Sequence, residues 1–204
     1  GGVSHFDGTS WTNYRDGLLG NVFSEILVTD SGQVWVGSDI GISLYEQENW
    51  TTFKVGTGET ETLINSITEA PDGSIWFGTK AGGARFADGA WSYFTEEDGL
   101  QSGKGGIYDL AFDGSASPWG NYHGTRYFLN LKDGRWFNLG EENKMPDVDG
   151  VHIVESEPGG GVWFGTYRDG VVLVRPPNWI WVNEEISNLS SNSIRDIIAP
   201  DSAY

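Results

Sequence analysis

The sequence predicts an all-β fold, a β-propeller of four-stranded antiparallel blades with about five repeats present. Three observations support this prediction: a repeated pair of tryptophans, four short strand-like runs in each repeat, and Asp-Gly turns between the runs. The tryptophans form two interleaved series with a common period of about 40–45 residues, which is the length of one blade. The series are Trp35, Trp76, Trp119 and Trp163, and Trp11, Trp50, Trp91, Trp136 and Trp179.

Each repeat contains four short apolar or β-branched runs, named here strands A to D in chain order. In the second full repeat these are Ile64–Glu69, Ser74–Thr79, Gly83–Phe86 and Trp91–Phe94. Gly, Asp, Asn and Ser bound the runs, and none of the runs has a sustained helical period. Another all-β solenoid or a sandwich is the alternative, but a sandwich does not require so regular a repetition.

The repeats divide residues 1–204, taken as a single propeller domain, into successive blades. The predicted units are a part-blade at 1–14, full blades at about 22–54, 63–95, 106–139 and 150–183, and the start of another blade at 193–204. A last strand A is expected at Ile194–Ala199. Joining the two ends would leave a fifth blade without strand B, so a segment of a six- to eight-bladed ring is favoured over an imperfectly closed five-bladed ring.

The connections differ between the two ends of the strands. The A–B and C–D connections are short and contain pairs such as Asp72-Gly73 and Asp88-Gly89, which suit tight hairpins. The D–A connections are longer and differ from repeat to repeat. Since D–A and B–C loops leave a blade at the same end, we expect a hairpin face and an opposite loop face. Binding residues concentrate on loops above a rigid scaffold, so the loop face is the expected ligand-binding surface.

Side chains of the B–C loops that lie outside the repeat pattern are the candidates for ligand contact. They are Asp39, Lys80, Tyr122, His123, Tyr167 and Arg168. Solvated loop residues are the alternative reading of this group. The repeated tryptophans could stack on sugars, but their fixed positions favour packing between blades.

Three asparagines recur just before strand A and form a second group of candidates. They are Asn21, Asn65 and Asn192. An asparagine there can hydrogen-bond loop backbone, so a structural role is favoured over ligand contact. His152 lies in a predicted innermost strand, where a satisfied structural histidine is favoured over a residue that lines the pore.

Composition and motifs exclude several functions. The net charge is −17, which repels nucleic acids and anionic lipid, and we expect neither a nucleic-acid partner nor membrane insertion by this segment. The chain has no cysteine. The three histidines have no metal-binding spacing, and no serine elbow or phosphate-binding loop is present. The sequence therefore predicts no catalytic residues, no cofactor and no metal site.

Acidic residues concentrate in the predicted D–A loops. They are Asp16, Glu59, Glu61, Glu96, Glu97, Asp98, Glu141, Glu142, Asp147, Asp149, Glu184 and Glu185. Calcium needs several converging oxygens, and no calcium-loop motif is present, so solvated charge is the favoured interpretation.

The third repeat departs from the repeat pattern, because it reads Pro118-Trp119-Gly120-Asn121 where the others have an apolar residue after tryptophan. Proline cannot donate to a sheet, so a bulge or local shift is expected at Pro118.

The repeat resembles the two-component regulator propeller repeat, whose pattern runs from Asp-Gly-Leu through a strand A to Trp-x-Gly-Thr. The matching residues include Asp16, Gly17, Leu18, Asn21, Ile26, Asp30, Gly32, Trp35, Gly37, Ser38 and Gly41, then Asn65, Ser66, Ile67, Asp72, Gly73, Trp76, Phe77, Gly78 and Thr79. The resemblance implies the sensor part of a membrane-anchored histidine kinase or a related signalling protein. It also implies a periplasmic or extracellular location and a small-molecule or glycan ligand.

Three functions follow, in order of preference. The first is a non-catalytic sensor that binds a saccharide or small polar ligand on the loop face. The second is a protein-interaction scaffold, whose acidic loop face would bind a basic protein partner. The third is an enzyme similar to streptogramin lyases, which the resemblance would equip with a histidine and a magnesium ion, but no such set of residues is recognisable here.

Overall fold

A computed structural model describes residues 2–56, 63–176, 178–183, 191, 193–195 and 197, and these fold into antiparallel sheets. A two-stranded sheet is formed by β1 (Val3–Phe6) and β2 (Trp11–Tyr14). Blade 1 is formed by β3 (Phe23–Val28), β4 (Val34–Ser38), β5 (Ile42–Glu46) and β6 (Asn49–Phe53). Blade 2 is formed by β7 (Ile64–Glu69), β8 (Ile75–Thr79), β9 (Gly82–Ala87) and β10 (Ala90–Phe94).

Two further four-stranded sheets follow. Blade 3 is formed by β11 (Asp109–Phe112), β12 (Pro118–Asn121), β13 (Phe128–Lys132) and β14 (Arg135–Leu139). Blade 4 is formed by β15 (Val151–Ser156), β16 (Val162–Thr166), β17 (Val171–Arg175) and β18 (Asn178–Val182). Each of these sheets pairs its strands in chain order, which confirms the predicted all-β fold of four-stranded blades. Of the expected strand Ile194–Ala199, residues 196, 198 and 199 lie outside the described residues, and residues 194, 195 and 197 are not in a strand.

Successive blades pack side by side through their first strands. Strand β3 lies against β7, β7 against β11, and β11 against β15. In blades 1, 2 and 3 the buried tryptophan of strand B contacts a phenylalanine of the next blade, with ring centroids 5.5 Å apart for Trp35 and Phe77. The same contact joins Trp76 to Phe112 at 5.9 Å and Trp119 to Phe164 at 6.1 Å. The prediction that the repeated tryptophans pack between blades is confirmed for these three, whereas Trp11 and Trp179 of the second series are exposed.

The turns explain the Asp-Gly pairs. Asp88 and Gly89 have φ values of 51° and 75°, so the backbone twists as a tight hairpin of a right-handed sheet requires. The A–B turn of blade 3 works differently, because its left-handed residue is Ala116 rather than Gly114. Gly114 instead allows a close approach between blades: its amide donates to Gly160 O at 2.9 Å, and a Cβ would lie 2.8 Å from Gly160 Cα.

The expected bulge at Pro118 is wrong. Pro118 is the first residue of β12 and pairs with Phe112 in regular register, a position where a missing donor is tolerated. Register shifts occur instead in the first strands of blades 1, 2 and 4, at the residues flanking Ser24, Asn65 and His152.

The loop face carries short 3-10 turns in two of its D–A loops, at Glu96–Asp98 and Glu141–Asn143. Thr95 Oγ1 accepts a hydrogen bond from the Glu97 amide, and Asp98 accepts one from the Thr95 amide at 2.8 Å. No helix in the described segments is long and apolar enough to cross a membrane.

Candidate functional site

The B–C loop of blade 3 is the longest B–C loop of the four blades. It runs from the end of β12 at Asn121 to the start of β13 at Phe128. The loop hydrogen-bonds to the next blade: the Gly124 amide donates to Val151 O at 3.2 Å, and the Val151 amide donates to Thr125 O at 2.6 Å. The B–C loop of blade 3 therefore spans the boundary between blades 3 and 4 on the loop face.

Four aromatic side chains meet above this joint, and we call them the ring cluster: Tyr108, His123, His152 and Tyr167. Ring centroids of Tyr108 and His123 are 4.3 Å apart, and those of His152 and Tyr167 are 4.9 Å apart. The two imidazoles lie 6.0 Å apart, and His123 Nε2 is 2.9 Å from Tyr167 Oη. His123 is exposed, while the other three are half-buried. Both adjacent blades therefore contribute one histidine and one tyrosine.

The environment of the ring cluster favours neutral side chains. Burial lowers the pKa of His152, and the nearby His123 lowers it further. Burial also raises the pKa of Tyr108, with smaller contributions from Tyr167 and Asp109. Nδ1 of His152 is buried without a hydrogen-bond partner. Burial thus favours the neutral forms of Tyr108 and His152, and one nitrogen of the cluster is unsatisfied.

Asp109 lies directly beneath the cluster in the first strand of blade 3. Its Oδ2 accepts the Val154 amide of blade 4 at 2.8 Å, and its Oδ1 accepts the Leu110 amide at 2.9 Å. Burial raises the pKa of Asp109 to about 7, because it outweighs the two amides that stabilise the carboxylate. Glu155 and Glu25 add to the rise. Asp109 therefore joins the two blades through a carboxyl group that is difficult to ionise.

A polar groove of about 320 Å³ adjoins the ring cluster on the loop face. The groove is lined by Lys104, Gly124, Thr125, Arg126, Tyr127, Val148, Asp149 and Gly150. The Tyr167 ring forms the boundary with the cluster, since a Cβ at Gly150 would lie 3.0 Å from Tyr167 Cδ2. The ring cluster and the polar groove are therefore adjacent on the loop face.

Charged groups in and around the groove are exposed. Arg126 Nη1 lies 2.8 Å from Asp147 Oδ1, and their side chains are 61% and 58% exposed. Lys104 Nζ lies 6.0 Å from the centre of the Tyr127 ring. Exposed ion pairs contribute little to stability, so a ligand can replace one partner at low cost. The groove therefore offers cationic donors and carboxylate acceptors to a polar molecule.

A larger cavity lies far from this site, where β1 and β2 meet blade 1. It encloses about 580 Å³ between apolar and aromatic side chains that include Phe6, Trp11, Ile26 and Val28. These four side chains are among the most exposed large hydrophobic groups described. The cavity lies between sheets, and its lining is mainly apolar and aromatic, with Ser4 and His5 among the polar side chains.

The structure unites two of the predicted B–C loop candidates, His123 and Tyr167, through the contact described above. Arg168 lies nearby, with Nη1 3.4 Å from Asp149 Oδ2. Tyr122 is different because none of its surface is exposed. Its hydroxyl donates to Asn138 Oδ1 at 2.7 Å and accepts the Gln101 amide at 2.6 Å. The expectation of ligand contact by Tyr122 is therefore corrected to a role in the core.

The remaining B–C loop candidates lie on other blades. Asp39 Oδ1 accepts the amides of Asn21 and Val22 at 3.2 and 3.4 Å, so it fixes the D–A loop of its own blade. Lys80 is exposed on blade 2, and its amide donates to Leu63 O. The structure does not bring Asp39 or Lys80 into the ring cluster or the lining of the polar groove.

The three asparagines do not occupy equivalent positions. Asn21 precedes β3, whereas Asn65 is inside β7, which corrects its predicted place before strand A. Asn65 Nδ2 donates to Ile107 O of the next blade at 2.9 Å, a structural contact between blades. Asn192 lies outside the described residues.

Sequence reasoning overlooked Tyr108 as a site residue and favoured a satisfied structural role for His152, whose Nδ1 has no partner in the structure. Both lie three residues before the partner of the strand-B tryptophan, since Ala111 pairs with Trp119 and Glu155 pairs with Trp163. Ser24 and Asn65 hold this position in blades 1 and 2 and hydrogen-bond to the next blade. An alignment of the repeats on their tryptophans would have revealed a ring in blades 3 and 4 where the others have a small polar residue.

The acidic D–A loops form no metal cluster in the described part of the chain: no group of three or more His, Asp or Glu there could hold an ion. Glu59, Glu61, Glu184 and Glu185 lie outside the described residues. The Asp98 carboxylate accepts a hydrogen bond from the Thr95 amide, and Asp147 forms an ion pair with Arg126.

Comparison with known families matches residues 58–81 to the two component regulator propeller model. The segment spans strands β7 and β8, with the tryptophan and Gly-Thr that the sequence pattern singled out. This segment is similar to a two component regulator propeller repeat. The predicted resemblance is thereby confirmed for blade 2. Comparison with curated protein sequences gives no match.

Solved structures similar to the chain include extracellular domains of bacterial regulatory systems as well as lyases. A protein described as the extracellular domain of the hybrid two component system BT3049 from B. thetaiotaomicron superposes with a TM-score of 0.68 at 17% identity, over 91% of this chain and 27% of that one. The extracellular domain of BT4673 from the same organism gives 0.66 at 17% identity, over 87% and 25%.

Virginiamycin B lyase from Staphylococcus aureus gives a TM-score of 0.64 at 15% identity, over 78% of this chain and 55% of the lyase. The chain thus spans about half of the lyase and about a quarter of the two component domains. At these identities the likeness shows a common propeller fold.

Proposed function

We propose that the chain is part of a sensor propeller of a signalling protein, located outside the cytoplasm, which binds a saccharide or small polar ligand without transforming it. The observation that carries the proposal is the polar groove beside the ring cluster on the loop face. A groove of about 320 Å³ suits a small ligand. The two component repeat and the extracellular domains of similar fold support the sensor role and the location.

The chemistry of the groove favours a hydroxyl-rich ligand. Arg126 and Lys104 are donors, and the carboxylate of Asp149 is an acceptor. Sugars also present C–H faces that pack on aromatic rings, and Tyr127 and Tyr167 border the groove. Together these groups match the alternating polar and apolar surface of a pyranose.

A binding function is favoured over catalysis because of how the imidazoles are held. Their described contacts are with each other, with tyrosine rings and with the Tyr167 hydroxyl. A catalytic histidine usually needs a carboxylate or carbonyl that orients it as a base. Metal-dependent turnover that His123→Ala abolishes would contradict the non-catalytic assignment.

Calorimetry with a panel of neutral and acidic oligosaccharides tests the proposal. We expect at least one to bind, and Arg126→Ala to weaken its affinity about tenfold or more. Arg85→Ala is the matched control, because Arg85 also pairs with an aspartate, Asp72, but lies on the hairpin face. Failure of every oligosaccharide to bind, or equal losses in the two variants, would contradict the assignment of the groove.

A further inference from the structure

The unsatisfied nitrogen of His152 requires a partner. Buried imidazole nitrogens in native proteins are nearly always hydrogen-bonded, and an orphan commonly marks a site for a water or an ion. Of the buried side-chain atoms without a partner in the described residues, His152 Nδ1 is the one that can ligate a metal ion. The other three are indole nitrogens or a hydroxyl.

A second imidazole lies at the distance that a shared ion requires. Bonds from zinc to histidine nitrogen are about 2.0–2.1 Å, so two imidazoles on one ion have ring centroids about 5–6.5 Å apart. The centroids of His123 and His152 are 6.0 Å apart, and their planes are inclined at 65°. His123 is exposed in the longest B–C loop, so its ring can rotate toward an ion without disturbing a core.

Tyr167 supplies an oxygen at the same place. Its hydroxyl is 2.9 Å from His123 Nε2, and its ring lies 4.9 Å from the His152 ring. The Tyr167 ring also lies against Gly124 and Gly150, which line the polar groove. Two nitrogens and one oxygen leave a tetrahedral ion with one open position.

We propose that His123 and His152, with Tyr167 Oη as a third donor, bind one divalent transition-metal ion of the zinc and copper class. Neutral imidazoles suit these ions, whereas magnesium and calcium prefer sites built from oxygen alone. The inference goes beyond the proposed sensor function, which needs no metal.

Calorimetric titration of the chelator-treated chain with Zn²⁺ and, separately, Cu²⁺ tests the site. We expect one ion per chain to bind, His123→Ala and His152→Ala each to weaken binding about tenfold or more, and the double variant to lose the site. The chain has three histidines, so His5→Ala is a complete control and should leave affinity unchanged. His123 is exposed, so its variant separates loss of a ligand from loss of folding.

The copper complex provides a second measurement. Coordination by Tyr167 would give a tyrosinate-to-copper absorption band that Tyr167→Phe removes. Absence of binding by both ions, retention of the site in the double variant, or an equal loss in His5→Ala would overturn the proposal. Repeating the oligosaccharide titrations with chelator present keeps the two tests separate, because the sensor function would survive failure of the metal site.

Discussion

Asp109 is a carboxyl group whose ionisation the folded structure opposes. Its pKa is raised to about 7, while an unfolded aspartate titrates near 3.9. Between about pH 4 and 7 the folded chain therefore keeps a proton that the unfolded chain releases. Stability from this group is fully present below pH 4 and is lost as the pH rises through 7, by up to about 1.4 kcal/mol per pH unit.

Replacement of Asp109 by asparagine removes this titration and keeps an oxygen acceptor for the Val154 amide. We expect the stability of Asp109→Asn relative to the native chain to increase from about pH 4 to 7 and to level off above. Urea denaturation at pH 4.5, 6 and 8 measures the difference. Asp88→Asn, in an exposed C–D turn, controls for loss of a negative charge. A difference for Asp109→Asn that does not change with pH would contradict the shifted ionisation.

Strand β12 shows how one altered element creates the site. Blades 1, 2 and 4 have a buried apolar residue after the tryptophan, namely Val36, Phe77 and Phe164. Blade 3 lacks this residue, and the fully buried Tyr122 packs in the cluster between blades 2 and 3. The strand is shorter, and the loop above it is long enough to reach blade 4.

The hydrogen bond that joins blades 3 and 4 also comes from a different position than in the other blades. In blade 1, Ser24 hydrogen-bonds to Ile64 O in the first strand of blade 2, and in blade 2, Asn65 hydrogen-bonds to Ile107 O just before the first strand of blade 3. In blade 3 the corresponding residue is Tyr108. There the hydrogen bond to the next blade is made by Asn121, whose Nδ2 donates to Val151 O at 3.0 Å. The Tyr108 side chain instead packs in the ring cluster.

Asn121→Ala should loosen this joint. Asn121 is fully buried, and its Oδ1 also accepts the Asp109 amide at 3.1 Å. Two buried groups would lose a partner, so we expect the free energy of unfolding to fall by about 2 kcal/mol or more. Chemical denaturation measures the loss.

Asn130→Ala is the matched control, since Asn130 Nδ2 donates to Ser117 Oγ and Pro118 O within its own blade. It should cost about 1 kcal/mol. Equal losses in the two variants would show that the contact between blades has no special importance.

The elements were predictable to the extent that they repeat. Strand β7 has its expected bounds, and β9 and β10 are longer than expected because pairing continues up to the turn at Asp88 and Gly89. The site was only half predictable. Loop position identified His123 and Tyr167, but the approach of Tyr108 and His152 depends on how adjacent blades pack. Nothing local in the sequence separates the buried Tyr122 from the half-buried Tyr167.

At the scale of the whole molecule, the net charge of −17 opposes folding by self-repulsion. Salt screens exposed charges, so the melting temperature at pH 7.5 should rise by about 2–4 °C as NaCl increases from roughly 20 to 300 mM. Circular dichroism melts measure the change. The effect should vanish near pH 4.3, where the sequence has no net charge. An equal rise at both pH values would assign the effect to something other than net charge.

An array of this kind can diversify one module at a time. Blade 3 has a shorter strand and a longer loop, yet Trp76 and Trp119 keep their contacts across both of its interfaces. Because each blade packs only on its neighbours, such a change is absorbed locally. A few codons inserted in frame at Lys80 and Ala81, which form the B–C loop of blade 2, would give that blade a recognition loop of its own. The same edit offers protein engineers a graft point that leaves the rest of the scaffold unaltered.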